Sequence, residues 1–147
     1  MFVVDTNVLL YAANSAAPEH FDCLRLLRGW RGQPLPWHVT WGILYEFVRV
    51  ATHPRVFERP WDAGSAWSFV EAILRSPGLT VLLETERHAA VVRDVLSESP
   101  PVAGNLAFDL HTAALMREHG VAQIYTRDTA FHTFPFLTVI DPLAPPR

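Results

Sequence analysis

Five short apolar runs, separated by longer segments with helical spacing, constrain this chain more than any other feature. Phe2-Val3-Val4, Pro36-Trp37-His38-Val39, Leu79-Thr80-Val81-Leu82-Leu83, Ile124-Tyr125-Thr126 and Leu137-Thr138-Val139-Ile140 are rich in β-branched and aromatic residues, and several lack polar alternation. Such runs suit strands buried on both faces, as in a parallel sheet. Between them, apolar residues recur at helical spacing over 7–14, 19–31, 40–52, 62–75, 86–98 and 105–119, the last closing on His119-Gly120. Strands that alternate with helices need crossover connections, so the expected fold is an α/β sandwich with helices on both faces of the sheet. Pro34, Pro36, Pro54, Pro60, Pro77, Pro100 and Pro101 all fall outside the helical windows, as a residue that breaks helices should. A chain of 147 residues without repeats, low-complexity tracts or linkers fits one domain over 1–147, and its tail from Asp141 to Arg147 is expected to fray.

Composition narrows the chemistry. All 12 basic residues are arginine, so mechanisms that need a lysine are excluded: Schiff-base catalysis, and the phosphate-binding P-loop with its obligatory lysine. A formal net charge of −3 argues against coating nucleic acid by bulk charge. Cys23, the one cysteine, sits beside Leu24, Leu26 and Leu27 and reads as a small buried hydrophobe rather than a nucleophile. Asp5 interrupts the first apolar run at once, so neither a signal peptide nor a membrane span is read there, and a cytoplasmic location is expected.

Ligands of parallel α/β sheets bind beyond the carboxyl ends of the strands, which directs attention to acids just after a strand. Asp5 follows Phe2-Val3-Val4, and Asp128 follows Ile124-Tyr125-Thr126-Arg127. Two more acids, Glu46 and Asp109, stand inside helical windows close to their apolar faces, beside Ile43 and Val50 and beside Leu106 and Ala113. Each has an ordinary use as well: Asp5 and Asp128 as helix caps, Glu46 as a partner for Arg49, Asp109 on a solvated helical turn. Taken together, four carboxylates from four elements with no lysine nearby would repel one another unless a cation joined them. Hard divalent ions, Mg²⁺ or Mn²⁺, suit an all-oxygen site.

Four segments carry a family likeness: Val4-Asp5-Thr6-Asn7-Val8-Leu9-Leu10, Glu46-Phe47-Val48-Arg49-Val50-Ala51-Thr52-His53-Pro54, Asp109-Leu110-His111-Thr112-Ala113-Ala114-Leu115-Met116, and Tyr125-Thr126-Arg127-Asp128 with Phe131 and Phe134. In this order across nearly the whole chain, they resemble the PIN-domain ribonuclease toxins called VapC. The resemblance implies a PIN-like three-layer α/β/α sandwich with a central, mostly parallel sheet. It further implies a metal-dependent endoribonuclease, the toxin of a type II toxin–antitoxin pair, held inactive by a small cognate antitoxin and commonly a homodimer. By position, Asp5, Glu46, Asp109 and Asp128 become the catalytic acids. Asp5 and Asp109 are the principal ligands of one or two Mg²⁺ or Mn²⁺ ions, and water activated by the metal hydrolyses RNA phosphodiesters. The family often carries another aspartate just before the phenylalanine of its last motif, where this chain has Ala130.

Asn7 and Thr126 are candidates for orienting a carboxylate or water, and Arg49 and Arg127 for holding RNA phosphates, in each case beside ordinary capping or ion-pair uses. Trp37, Trp41, Trp61 and Trp67 suit stacking on bases, but as readily core or interface positions. The seven histidines show no His-x-His or His-Glu-x-x-His spacing, which makes a zinc site improbable, and His111 should point away from Asp109 on a helix. A PIN-like RNA- or protein-binding module without turnover is the alternative reading. An aspartate-nucleophile phosphatase fits poorly, since Asn7 stands where it would want an acid.

Overall fold

A computed structural model of the chain describes residues 1–144. The strands are β1 (Phe2–Val4), β2 (Trp37–Thr40), β3 (Leu79–Leu82), β4 (Gln123–Tyr125) and β5 (Thr138–Ile140). The helices are α1 (Thr6–Ala13), α2 (His20–Arg31), α3 (Trp41–Ala51), α4 (Ala63–Leu74), α5 (His88–Glu98) and α6 (Leu106–Glu118), and a 3₁₀ helix covers Thr129–Thr133. Every expected element is present, with ends shifted by a residue or two where a cap decides the boundary. Thr40, read as the first residue of a helix, instead ends β2, and its hydroxyl caps α3 by accepting from the Ile43 amide. Asp62 caps α4 in the same way through the Ser65 amide. The 3₁₀ helix lacked a periodic signal because it is a single short turn.

The five strands form one parallel sheet in the order β3-β2-β1-β4-β5. From β1 the chain winds outward through β2 to β3, then returns through α5 and α6 to place β4 on the other side of β1. The winding direction therefore reverses between β1 and β4, and a crevice opens beyond their carboxyl ends. Val3, Val4, Trp37, Val39 and Ile124 have no exposed surface, as strands covered on both faces require.

The tryptophans divide between roles. Trp37 is core, and Trp61 is half-buried with its ring edge-on to Phe47 and Phe57. Trp41 remains 40% exposed and stacks on Trp67. Cys23 is fully buried, and burial pushes its thiol up to about 11, which suits the hydrophobic role. The tail does not fray at its start. Asp141 Oδ1 accepts from the Leu143 amide at 2.9 Å and Pro142 is buried, while 145–147 lie outside the described residues. Among the described residues, no helix is long and apolar enough to cross a membrane.

Candidate active site

Asp5 stands where β1 runs out of partners. Its amide still pairs with Tyr125 O at 3.1 Å, continuing the β1–β4 ladder by one bond, and its side chain caps α1 through the Thr6 amide at 2.8 Å. Capping and a place in the site therefore coexist in one residue. Asp5 Oδ2 accepts from Thr126 Oγ1 at 2.7 Å and from Asn7 Nδ2 at 2.8 Å. The same Thr126 oxygen accepts from Asn7 Nδ2 at 2.8 Å and from the Asp128 amide at 2.9 Å. Asn7 and Thr126 thus hold the carboxylate in one orientation and bind the ends of β1 and β4 together.

Asp128, exposed, caps the 3₁₀ helix through the Ala130 amide at 2.8 Å. Glu46 is exposed on α3, where Oε1 accepts from Arg49 at 3.4 Å and Oε2 lies 3.3 Å from Thr6 Oγ1. That hydroxyl also lies 3.2 Å from Ile43 O, so its one proton is shared between two acceptors. Thr6 was missed by the sequence reading, although the Asp-Thr-Asn motif contains it. Asp109 is half-buried on α6 and makes no side-chain hydrogen bond among the described residues, so its carboxylate lone pairs are uncommitted.

The four acids feel one another's charge. Burial, and then the charges of Asp128, Asp5 and Glu46, push the Asp109 carboxyl up to about 7. Asp5 is pushed up to about 6, because burial outweighs the bonds from Thr126 and Thr6, and Glu46 and Asp128 add repulsion. The arrangement is open: no three of these acids bring oxygens within 4.8 Å of one another. The donor set is four carboxyl groups and all oxygen, which fits a hard divalent cation better than a soft one.

Arg49 and Arg127 both reach acids. Arg49 pairs with Glu46, while the Arg127 side chain bonds Glu19 at 2.9 Å and lies 3.5 Å from Asp141. His111 turns away from Asp109, as the helical spacing predicts, and bonds Glu84 at 2.6 Å.

The profile of the PIN domain family matches residues 2–137. The chain belongs to the PIN domain family. Ribonuclease VapC37 of Mycobacterium tuberculosis is 37% identical over 134 residues, which are 91% of this chain and 92% of that protein. This relationship places the chain among the VapC ribonucleases. Among solved structures, Mycobacterium tuberculosis VapC20, described as a sarcin-ricin loop cleaving toxin, matches with a TM-score of 0.65 and 21% identity over 90% of this chain and 93% of that one. Rickettsia felis VapBC2, solved bound to a DNA fragment from its promoter, matches with a TM-score of 0.63 and 16% identity over 95% and 96%. These two likenesses establish that the PIN domain shares their fold.

Proposed function

We propose that this PIN domain is an endoribonuclease, the toxin of a type II toxin–antitoxin pair, and that Asp5, Glu46, Asp109 and Asp128 hold the divalent ions on which its activity depends. The observation that carries the reading is the convergence of four acids, two just beyond β1 and β4 and two on α3 and α6, near enough to act on one another's charge, with Asp109 pushed up to about 7 and Asp5 up to about 6. Membership among the VapC ribonucleases supports the reaction class, and the description of VapC20 supports a structured RNA loop as substrate. The VapBC2 structure supports an antitoxin partner.

In this reading Asp5 and Asp109 are the principal ligands and Glu46 and Asp128 complete the set. Mg²⁺ or Mn²⁺ held there would supply Lewis acidity to the scissile phosphodiester and acidify the attacking water. Thr126 and Asn7 orient Asp5, which matters because ligand orientation fixes coordination geometry. Arg49, on the exposed face of α3, and Arg127 are the side chains proposed to meet phosphates by exchanging their acidic partners for the substrate. A binding module without turnover is the second reading, favoured by Ala130, whose position carries no acid.

Cleavage of structured RNA by the purified chain with Mg²⁺ or Mn²⁺ tests the proposal. Excess chelator should abolish cleavage, and Asp5→Asn should lower it by about a hundredfold or more. Equal cleavage by the variant, or full activity in chelator, would refute it. Expression without an antitoxin separates the two readings: growth arrest relieved by Asp109→Ala supports the nuclease, and arrest that persists supports the binding module.

A further inference from the structure

Glu84, His88 and His111 stand apart from the four acids and play no part in the proposed nuclease. Glu84 follows β3, His88 opens α5 and His111 lies on α6, so three elements supply one group. One ligand atom from each lies within 4.8 Å of the other two, which no other trio of histidine, cysteine or acid achieves among the described residues. His111 Nε2 donates to Glu84 Oε1 at 2.6 Å, and the two imidazoles meet edge to face with centroids 5.6 Å apart.

A fourth residue gives the group its direction. Glu118 has no exposed side-chain surface, and its carboxylate accepts from the Thr85 amide, Thr85 Oγ1 and His88 Nδ1 at 3.1, 2.6 and 2.5 Å. A carboxylate only accepts, so Nδ1 carries a proton, and in the neutral ring it is Nε2 that presents the lone pair. A buried carboxylate that fixes an imidazole tautomer is how proteins commonly prepare a histidine to bind a metal. The three outer side chains are 50% (Glu84), 25% (His88) and 39% (His111) exposed, so an ion can reach them from solvent.

We propose that Glu84, His88 and His111 form a second metal site, selective for a Zn²⁺-like transition ion and separate from the all-oxygen centre. Two imidazoles and a carboxylate favour such ions over Mg²⁺, which prefers oxygen and keeps its waters. Zinc bonds of about 2.0–2.2 Å place ligand atoms about 3.4 Å apart, so the His111–Glu84 pair opens slightly and His88 closes in, within the reach of ordinary side-chain rotation. Three protein ligands leave a fourth position for solvent. The ion would clamp the β3–α5 connection onto α6 two residues from Asp109, tightening the helix that carries that acid.

The test uses the full chain carrying Asp5→Asn and Asp109→Asn, in excess Mg²⁺, so that the carboxylate centre is weakened and its remaining acids compete for Mg²⁺ rather than the added ion. Titration with Co²⁺, followed by its visible absorption and by displacement with Zn²⁺, should show one ion per chain. His111→Gln and Glu84→Gln, added singly, should each weaken that binding by about tenfold or more. Glu84 is exposed and His111 partly so, and neither bonds Glu118. X-ray absorption of the Zn²⁺-loaded chain supplies a measurement that needs no variant, and two imidazoles should appear around the ion. No Co²⁺ binding, binding unchanged by both substitutions, or an ion surrounded by oxygen alone would each overturn the site.

Discussion

Thr126 Oγ1 donates to Asp5 Oδ2 at 2.7 Å across 121 residues of sequence, and the same oxygen accepts from Asn7 and from the Asp128 amide. One buried hydroxyl therefore sets the orientation of the acid at the end of β1 relative to the loop after β4. Thr126 is 1% exposed, so solvent cannot take over its bonds.

Replacing that hydroxyl by a methyl group isolates its role. Thr126→Val should cost about 1–3 kcal/mol of stability through the buried donors and acceptor it abandons. It should also lower divalent-ion affinity or RNA cleavage by about 10–100-fold, while Thr126→Ser recovers most of the loss. Calorimetric Mg²⁺ or Mn²⁺ titration beside a cleavage assay checks both. Undiminished affinity in the valine variant would remove Thr126 from the site.

Asp109 separates function from stability. Its carboxyl is disfavoured in the charged form by burial and by three neighbouring acids. Asp109→Asn should abolish cleavage and yet stabilise the ion-free protein by about 1 kcal/mol at pH 8, the raised carboxyl being discounted for solvent screening. Thermal melting in chelator measures the second effect. A lower melting temperature would mean that this charge does not strain the fold.

His38 should make the protein sensitive to mild acid. It is 8% exposed in β2, and neither ring nitrogen makes a side-chain hydrogen bond. Burial lowers its pKa below 6.5 against the Thr80 backbone, which acts to raise it, and the charges of the Met1 amino group and His119 add to the lowering. The unfolded chain then takes up the proton first, so stability falls as pH drops through 6.5 and levels off below the lowered folded value. The slope from this one group is at most about 1.4 kcal/mol per pH unit. In urea titrations at pH 7.5 and 5.5, His38→Leu should shrink the difference in midpoint; an unchanged difference would assign the acid sensitivity elsewhere.

Gly78 marks where two backbones meet. A Cβ there would lie 2.1 Å from Leu35 O and 2.9 Å from Leu35 C, and its carbonyl accepts from the Trp37 amide at 3.1 Å. Gly78→Ala must therefore push β3 away from the segment entering β2, at a cost of about 1–3 kcal/mol or more. Chemical denaturation measures it, with Gly29→Ala as the control, since a Cβ at Gly29 meets nothing within 4 Å.

Much of this architecture could be read from the residues. The post-strand positions of Asp5 and Asp128 and the helical positions of Glu46 and Asp109 were visible, because strand ends and helix faces follow from local periodicity. The capping roles of Asp5 and Asp128 were equally legible, since a cap is a contact between near neighbours in sequence. Three things were not. Thr6 meets Glu46 across 40 residues, Arg127 meets Glu19 across 108, and Glu84, His88 and His111 come from three elements with no shared spacing. The His-x-His and His-Glu-x-x-His spacings presume ligands on one element, so they could not find a group assembled from several.

The amino-acid sequence alone determined which segments are strands and helices, that the sheet is mostly parallel and covered on both faces, and where along those elements the four acids stand. These depend on repeats of two and 3.6 residues, on caps and on charge, all of which act between neighbours along the chain. Only the tertiary structure decided that β4 lies beside β1, that Thr126 therefore holds Asp5, and that two histidines and two glutamates gather where β3, α5 and α6 meet. Those outcomes depend on which crossover packs on which face of the sheet, and hence on contacts between residues that no local pattern brings together.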